Sequence, residues 1–453
     1  MPYVEGFGTY PFGEEWLFDA FARSHLPVLE VAESLTVTVT PVLADQLEAE
    51  GVSDRLQEFL RRYRLGAAEM DVSEAGSTLA AARAEASAFT RAVDSTEACN
   101  SDLLAPFRLA QEAGRVELMT SSATHAVFPL LATSAGARLQ IDAGLRSHTR
   151  RFGRPRGFWF PECAIAPGLD RLLYERGLEY TCLDQSKLEE DGSALRPIAC
   201  PSGCVAFTID WPTVELVWGS AGYPADPVYM DFHRQSMNGT RLWDIGGDPY
   251  DPERARDRAQ EHAREFCRQV LARLEAHRSR TGERGLCVFA IDTELLGHWW
   301  REGPWWLESV LAEAQSEGVN LVKLSEALER HEPESRPVSE ASWGEGKDLS
   351  TWGSPAVADL ARAARRSEIA LVTDAIAHAG EKRASKRAAR ELLALQSSDW
   401  AFMDFRGQAG DYAFDRAVAH AESMLEAVES PQSRSERLRN LAPDLSLAPL
   451  LEP

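Results

Sequence analysis

Two apolar runs in this chain each end on a carboxylate. Gly157-Phe158-Trp159-Phe160 is stopped by Pro161, and Glu162 follows at once, ahead of Cys163 and Ala164. Val288-Phe289-Ala290-Ile291 delivers Asp292, and Thr293-Glu294-Leu295-Leu296-Gly297-His298-Trp299-Trp300 comes next. In a parallel barrel the C-terminal ends of all strands form one face, however far apart they lie in sequence. Two carboxylates on that face can divide the cleavage of a glycosidic bond between them. One attacks the anomeric carbon and the other protonates the leaving oxygen, at a separation of about 5–5.5 Å when configuration is retained. The neighbouring indoles suit a sugar, whose C–H faces are apolar while its rim needs hydrogen bonds. Taken singly, either acid reads equally as a helix cap or an ion-pair partner, and twelve Trp can be plain core.

Positioning such a pair requires strands, and further runs supply them. Leu35–Thr40, Val116–Thr120, Tyr180–Leu183 and Val319–Leu324 join Gly157–Phe160 and Leu286–Ile291 as short segments with the look of parallel strands buried on both faces. Asp251-Pro252-Glu253 opens a helix with a cap residue, a proline at the first position and an acid in the first turn. Ala263, Phe266, Val270 and Leu274 then share one face of it. Strands alternating with helices give an α/β fold. Residues 332–337 read as a linker, 354–427 as helical, and the last dozen residues as a poorly ordered tail. There is no internal repeat.

Composition narrows the partners. With 453 residues, 44% hydrophobic, the chain can bury a large core. A formal net charge of −22 argues against nucleic acid or an anionic membrane surface as partner. No run approaches the roughly 18 apolar residues of a membrane span. Seven cysteines with no CxxC pair, and no Cys/His set completing Cys200 and Cys204, read as free thiols rather than a metal site. Together with the absence of a signal-peptide pattern, this points to a reducing cytoplasm.

The segments Trp159-Phe160-Pro161-Glu162-Cys163-Ala164 and Asp292 to Trp300 resemble the two catalytic segments of glycoside hydrolase family 57, in its α-1,4-glucan branching enzymes. The resemblance spans most of the chain. Gly13-Glu14-Glu15-Trp16-Leu17, Ser121-Ser122-Ala123-Thr124-His125, Gly222-Tyr223-Pro224 with Phe232-His233, Pro249-Tyr250-Asp251-Pro252-Glu253 and Gln396-Ser397-Ser398-Asp399-Trp400 all look like segments of that family. It implies an incomplete (β/α)7 barrel with helical insertions over residues 1–332 and a helical C-terminal domain over 345–440. It implies Glu162 as nucleophile and Asp292 as general acid/base. His125 and His298 would line the donor subsite. Tyr223 would sit on a loop over the cleft, favouring transfer to a sugar over hydrolysis. Trp16, Trp299, Trp300 and Trp400 would be sugar platforms or the walls behind them. The partner would be an α-glucan of the amylose or glycogen kind, and no metal or organic cofactor would be needed.

One departure matters. In that family the Pro-Tyr-Val near the start follows a buried strand with a His-x-His pair, whereas Pro2-Tyr3-Val4 follows Met1 here. The expectation is a missing first strand, a gap in the barrel wall and an exposed strand edge. Ile209 and Arg301 also stand where relatives often carry Arg and an aromatic. Rival readings are a 4-α-glucanotransferase or amylase of the same family, or a non-catalytic α-glucan-binding protein. A metal-dependent deacetylase would want a His-x3-His pair, which the ten histidines do not contain.

Overall fold

The computed structural model describes residues 13–189, 194–379, 385–430 and 440–452. Residues 1–12, on which the expectation of a missing first strand bears, lie outside them. Strands β1 (Leu35–Thr38), β2 (Val116–Ser121), β3 (Gly157–Trp159), β4 (Tyr180–Leu183), β5 (Ile198–Ala199), β6 (Val205–Thr208) and β7 (Glu334–Ser335) form one sheet in the order β1-β2-β3-β4-β6-β5-β7. Neighbours from β1 through β4 to β6 are parallel, and only β5 against β6 is antiparallel. The four strands read from sequence in β1–β4 form where expected. Strand β6 was not foreseen, and residues 334–335, read as linker, pair with β5.

Two expected strands are not strands. Residues 286–291 touch the sheet through one parallel bridge, Val288 to Ile209, and residues 319–323 carry no ladder. Both are extended and apolar, but a ladder needs a hydrogen-bonding neighbour on at least one side. Between them and the outer edge of β1, which among the described residues pairs only with β2, lies a cavity of about 980 Å³. Leu35, Val37, Phe289, Ile291, Leu321 and Val322 are among the residues that wall it.

The longer helices include α1 (Leu79–Ala98), α2 (Ser134–Phe152), α3 (Pro252–Thr281), α4 (Gly303–Glu313), α5 (Ala358–Ala377), α6 (Lys386–Leu395), α7 (Ser398–Phe405) and α8 (Tyr412–Glu429). Helix α3 starts as its sequence dictates, with the Asp251 carboxylate accepting from the backbone N–H groups of Glu253 and Arg254. Ala263, Phe266 and Val270 are buried on its inner face. Helix α2 packs so closely on β2 that a Cβ on Gly144 would come within 2.1 Å of the Ser121 carbonyl oxygen. Only glycine allows that approach, which sets the height of the segment after β2.

The last dozen residues are not a loose tail where they are described. Leu441, Ala442, Leu445 and Leu450 are buried, and Ala442 N–H donates to the buried Asp45 carboxylate at 2.7 Å. Their apolar side chains fill the cleft beside α2, a contact no local pattern announces. All seven cysteines are free thiols. No described helix is long and apolar enough to cross a membrane.

Candidate active site

Carboxylates follow four of the extended segments, and their partners differ. Asp184, after β4, accepts from Lys347 Nζ at 2.8 Å and from Ser186. Asp210, after β6, is bound by the Arg273 guanidinium at 2.6 Å. Both are neutralised structural acids. Asp292, after residues 286–291, has no cationic partner among the described residues and opens into the large cavity. Glu162, after β3, is 15% exposed. An acid left without a cation in a cleft is available for chemistry.

The chain bends hard to present Glu162. Pro161 starts a single turn, and Glu162 and Cys163 take left-handed conformations, φ 61° and 49°. Neither is glycine, so each costs about 1–3 kcal/mol, which the surroundings must hold in place. Trp343 does much of that holding. Its indole N–H donates to Glu162 Oε2 at 2.8 Å, and its backbone N–H to the Glu162 carbonyl at 2.9 Å. Its ring packs edge-on against Trp159, centroids 5.1 Å apart. His125, also left-handed at φ 61°, points Nδ1 at Glu162 Oε1 from 3.6 Å and at Ser398 Oγ from 2.9 Å.

The Asp292 carboxyl is pushed up to about 8. Burial among protein atoms is the largest cause, followed by the negative charges of Glu294, Glu162 and Asp399. Water reaches this carboxyl through the cavity, which tempers the burial, but all four influences act in one direction. Glu294 goes the other way, to about 2. Burial is the largest influence and opposes its ionisation, but several smaller ones, led by the hydrogen bond with His25 Nε2 at 3.3 Å, together outweigh it. Burial and the neighbouring negative charges thus favour the protonated form of Asp292.

A partly exposed aromatic cluster is built by the segment that follows Asp292. Trp16 and Trp299 are 48% and 39% exposed with ring centroids 5.4 Å apart, and Phe232 lies 4.7 Å from Trp299. His298 is buried under them, 4.9 Å from Trp299. Burial, with the Arg241 and Arg23 guanidiniums nearby, holds its pKa at about 4, so it is neutral.

Trp300 and Trp400, expected as sugar platforms or the walls behind them, and Tyr223, expected on a loop over the cleft, are all buried. Trp300 is 1% exposed and packs on Trp306 and Tyr229. Trp400 is equally buried, its indole N–H donating to the Ala394 carbonyl at 2.8 Å. Each is a wall, because its neighbours already cover both ring faces. Tyr223 faces inward rather than presenting its ring at the surface. It is buried with its ring stacked on His262 at 4.4 Å, because the turn after residues 211–218 folds it back against α3. Sequence reading missed Trp343, Ser398, His25 and Glu294. Trp343 sits in a Ser-Trp-Gly stretch without periodicity, so only tertiary structure reveals it. Among the described residues no group of His, Cys, Asp and Glu could hold a metal ion.

Known proteins share this arrangement's sequence and shape. Residues 1–339 match the model of glycosyl hydrolase family 57, and residues 360–447 that of the 1,4-alpha-glucan branching enzyme C-terminal region. The chain is 34% identical to a 1,4-alpha-glucan branching enzyme of Thermococcus kodakarensis, over 93% of this chain and 71% of that one. It is 32% identical to a probable 1,4-alpha-glucan branching enzyme of Mycobacterium tuberculosis, over 98% and 93%. A crystal structure of a family 57 branching enzyme from Thermococcus kodakaraensis, in complex with glucose, superposes with a TM-score of 0.92 at 30% identity, covering 99% of this chain and 94% of that one. On this evidence the chain belongs to glycosyl hydrolase family 57.

Proposed function

We propose that this protein is a retaining 1,4-α-glucan branching enzyme. It cleaves an α-1,4 link and passes the freed chain to O6 of an acceptor glucan. The observation that carries the reading is the pairing of a positioned carboxylate, Glu162, with a cavity-facing acid, Asp292, whose pKa is raised to about 8. The matched branching-enzyme C-terminal region favours branching over the 4-α-glucanotransferase and amylase readings. A non-catalytic binder would have no use for the raised Asp292.

The chemistry follows from the charges. Glu162 attacks the anomeric carbon as Asp292 gives its proton to the departing O4. The resulting ester removes the Glu162 charge, so Asp292 now gives up protons more readily. It takes one from the incoming O6 hydroxyl, which displaces Glu162 and restores it. Water at the same position would shorten the chain instead. Trp16, Trp299 and His298, with His125 beside the nucleophile, are the side chains we assign to sugar binding. In this reading residues 1–332 are the catalytic barrel and 345–440 the helical domain. Tyr223 would reach a ligand only by leaving His262.

Proton NMR of amylose incubated with the purified protein tests this. Growth of the α-1,6 anomeric signal without a matching rise in reducing ends is expected, and Glu162→Gln should abolish it, by more than about 10³-fold. A rise in reducing ends alone would establish hydrolysis. Unchanged activity in Glu162→Gln would remove the nucleophile assignment.

A further inference from the structure

The segment that follows Asp292 is held by a single turn of helix from the other end of the chain. Residues Phe21–His25 form a π turn, in which Leu26 N–H reaches back to the Phe21 carbonyl. Its cause is local. Pro27 has no N–H to give to the Arg23 carbonyl four residues earlier, so a regular helix cannot run through. Single π turns of this kind often mark functional sites. The freed Arg23 carbonyl faces Gly297, where a Cβ would lie 1.8 Å from it; Gly297 also has φ +111°. The next two residues grip the same segment. Ser24, fully buried, donates from Oγ to the Leu296 carbonyl at 2.7 Å, with the Glu294 carbonyl at 3.2 Å, and accepts from the His298 N–H at 3.2 Å. His25 holds the Glu294 carboxylate. Arg23 and Arg301 meet on buried Glu85 at 2.7 and 2.9 Å, which ties the far end of the segment to the same turn.

The geometry points to Ser24 as a positioning residue for general-acid catalysis: one hydroxyl fixes three backbone groups of the loop that aims Asp292. A serine oxygen with both donor and acceptor capacity is the smallest side chain that can do this. It touches no substrate and acts through the loop. The inference rests on the assignment of Asp292 as acid in the proposed function.

Two donors separate positioning from simple support of the fold. Amylose needs its leaving oxygen protonated. An α-maltooligosyl fluoride does not: the Glu162 carboxylate forms its bond to C1 while the C–F bond breaks and fluoride leaves with the electron pair. In Ser24→Ala, kcat on amylose is expected to fall by about 10- to 100-fold, while first-turnover fluoride release stays within about 3-fold of the parent. Equal losses on both donors, or no loss on either, would overturn the proposal. Should Ser24→Ala not fold, Ser24→Cys carries the same comparison, with a smaller selective loss expected from its weaker hydrogen bonds. Asp292→Ala, run beside it, should lose amylose activity and keep fluoride release. If it loses both alike, the acid assignment itself falls, an outcome distinct from failure at Ser24.

Discussion

Glu294 stands two residues from Asp292 and remains ionised, its pKa at about 2. It comes directly after burial among the causes that raise Asp292 to about 8. Replacing it by Gln removes one negative charge and keeps a partner for His25. Two charges about 7 Å apart interact by about 2.4 kcal/mol at an effective dielectric of about 20, roughly 1.7 pKa units. Water in the cavity and the 42% exposure of the Glu294 side chain reduce this. About one unit remains after that discount. The sign follows from the role of Asp292. As an acid it works protonated, so kcat/KM falls as pH rises through its folded pKa. Removing a neighbouring negative charge makes proton loss easier and lowers that pKa. The alkaline limb of the kcat/KM profile of Glu294→Gln, measured on maltooligosaccharides, should therefore move from about 8 to about 7. An unmoved limb, or one displaced upward, would refute the electrostatic account of Asp292.

Two further outcomes test the surroundings of the pair. Trp299→Ala removes the indole between Trp16 and Phe232, and KM for amylose should rise by about 10-fold with kcat within about 3-fold in steady-state assays; an unchanged KM would take Trp299 out of the sugar-binding surface. Tyr223→Phe removes a buried hydroxyl that has no protein partner among the described residues, so urea unfolding should show stability raised by about 1 kcal/mol. Loss of branching in that variant with stability raised would mean that Tyr223 leaves His262 during the reaction.

Much of the site could be read before any fold was known, because its physics is local. An apolar run ending in Pro161-Glu162, or in Asp292, marks a strand end and an acid together, and both acids belong to one region of the fold. The helix start at Asp251 was equally local, since cap, proline and acid are adjacent. What escaped depended on distant partners. Residues 286–291 and 319–323 have strand composition, yet hydrogen-bonding neighbours decide whether such a run becomes a ladder. Strand β6 is four residues long and follows a Gly-Cys turn, too short to stand out. Trp343 gains its role only because the chain returns from 181 positions away to meet Glu162. Trp300 and Trp400 read in sequence as sugar platforms or the walls behind them, and only their burial in the fold separates the two, since burial of an indole cannot be read from its neighbours alone.

His125, beside Glu162, is held as much from the far end of the chain as from the segment after its own strand. Ser398, at the start of α7, bonds it twice: its Oγ lies 2.9 Å from His125 Nδ1, and its backbone N–H donates to the His125 carbonyl at 3.0 Å. Ala126 bridges Ser397, and Gln140 on α2 binds Gln396 at 3.0 Å. The helices after residue 385 are therefore a buttress for the reaction centre, not cargo attached to it. A cut that spared every catalytic carboxylate but removed them would leave His125 to abandon its left-handed backbone and Glu162 without its neighbour. Local opening of those helices would, by the same contacts, loosen His125 and Glu162 together.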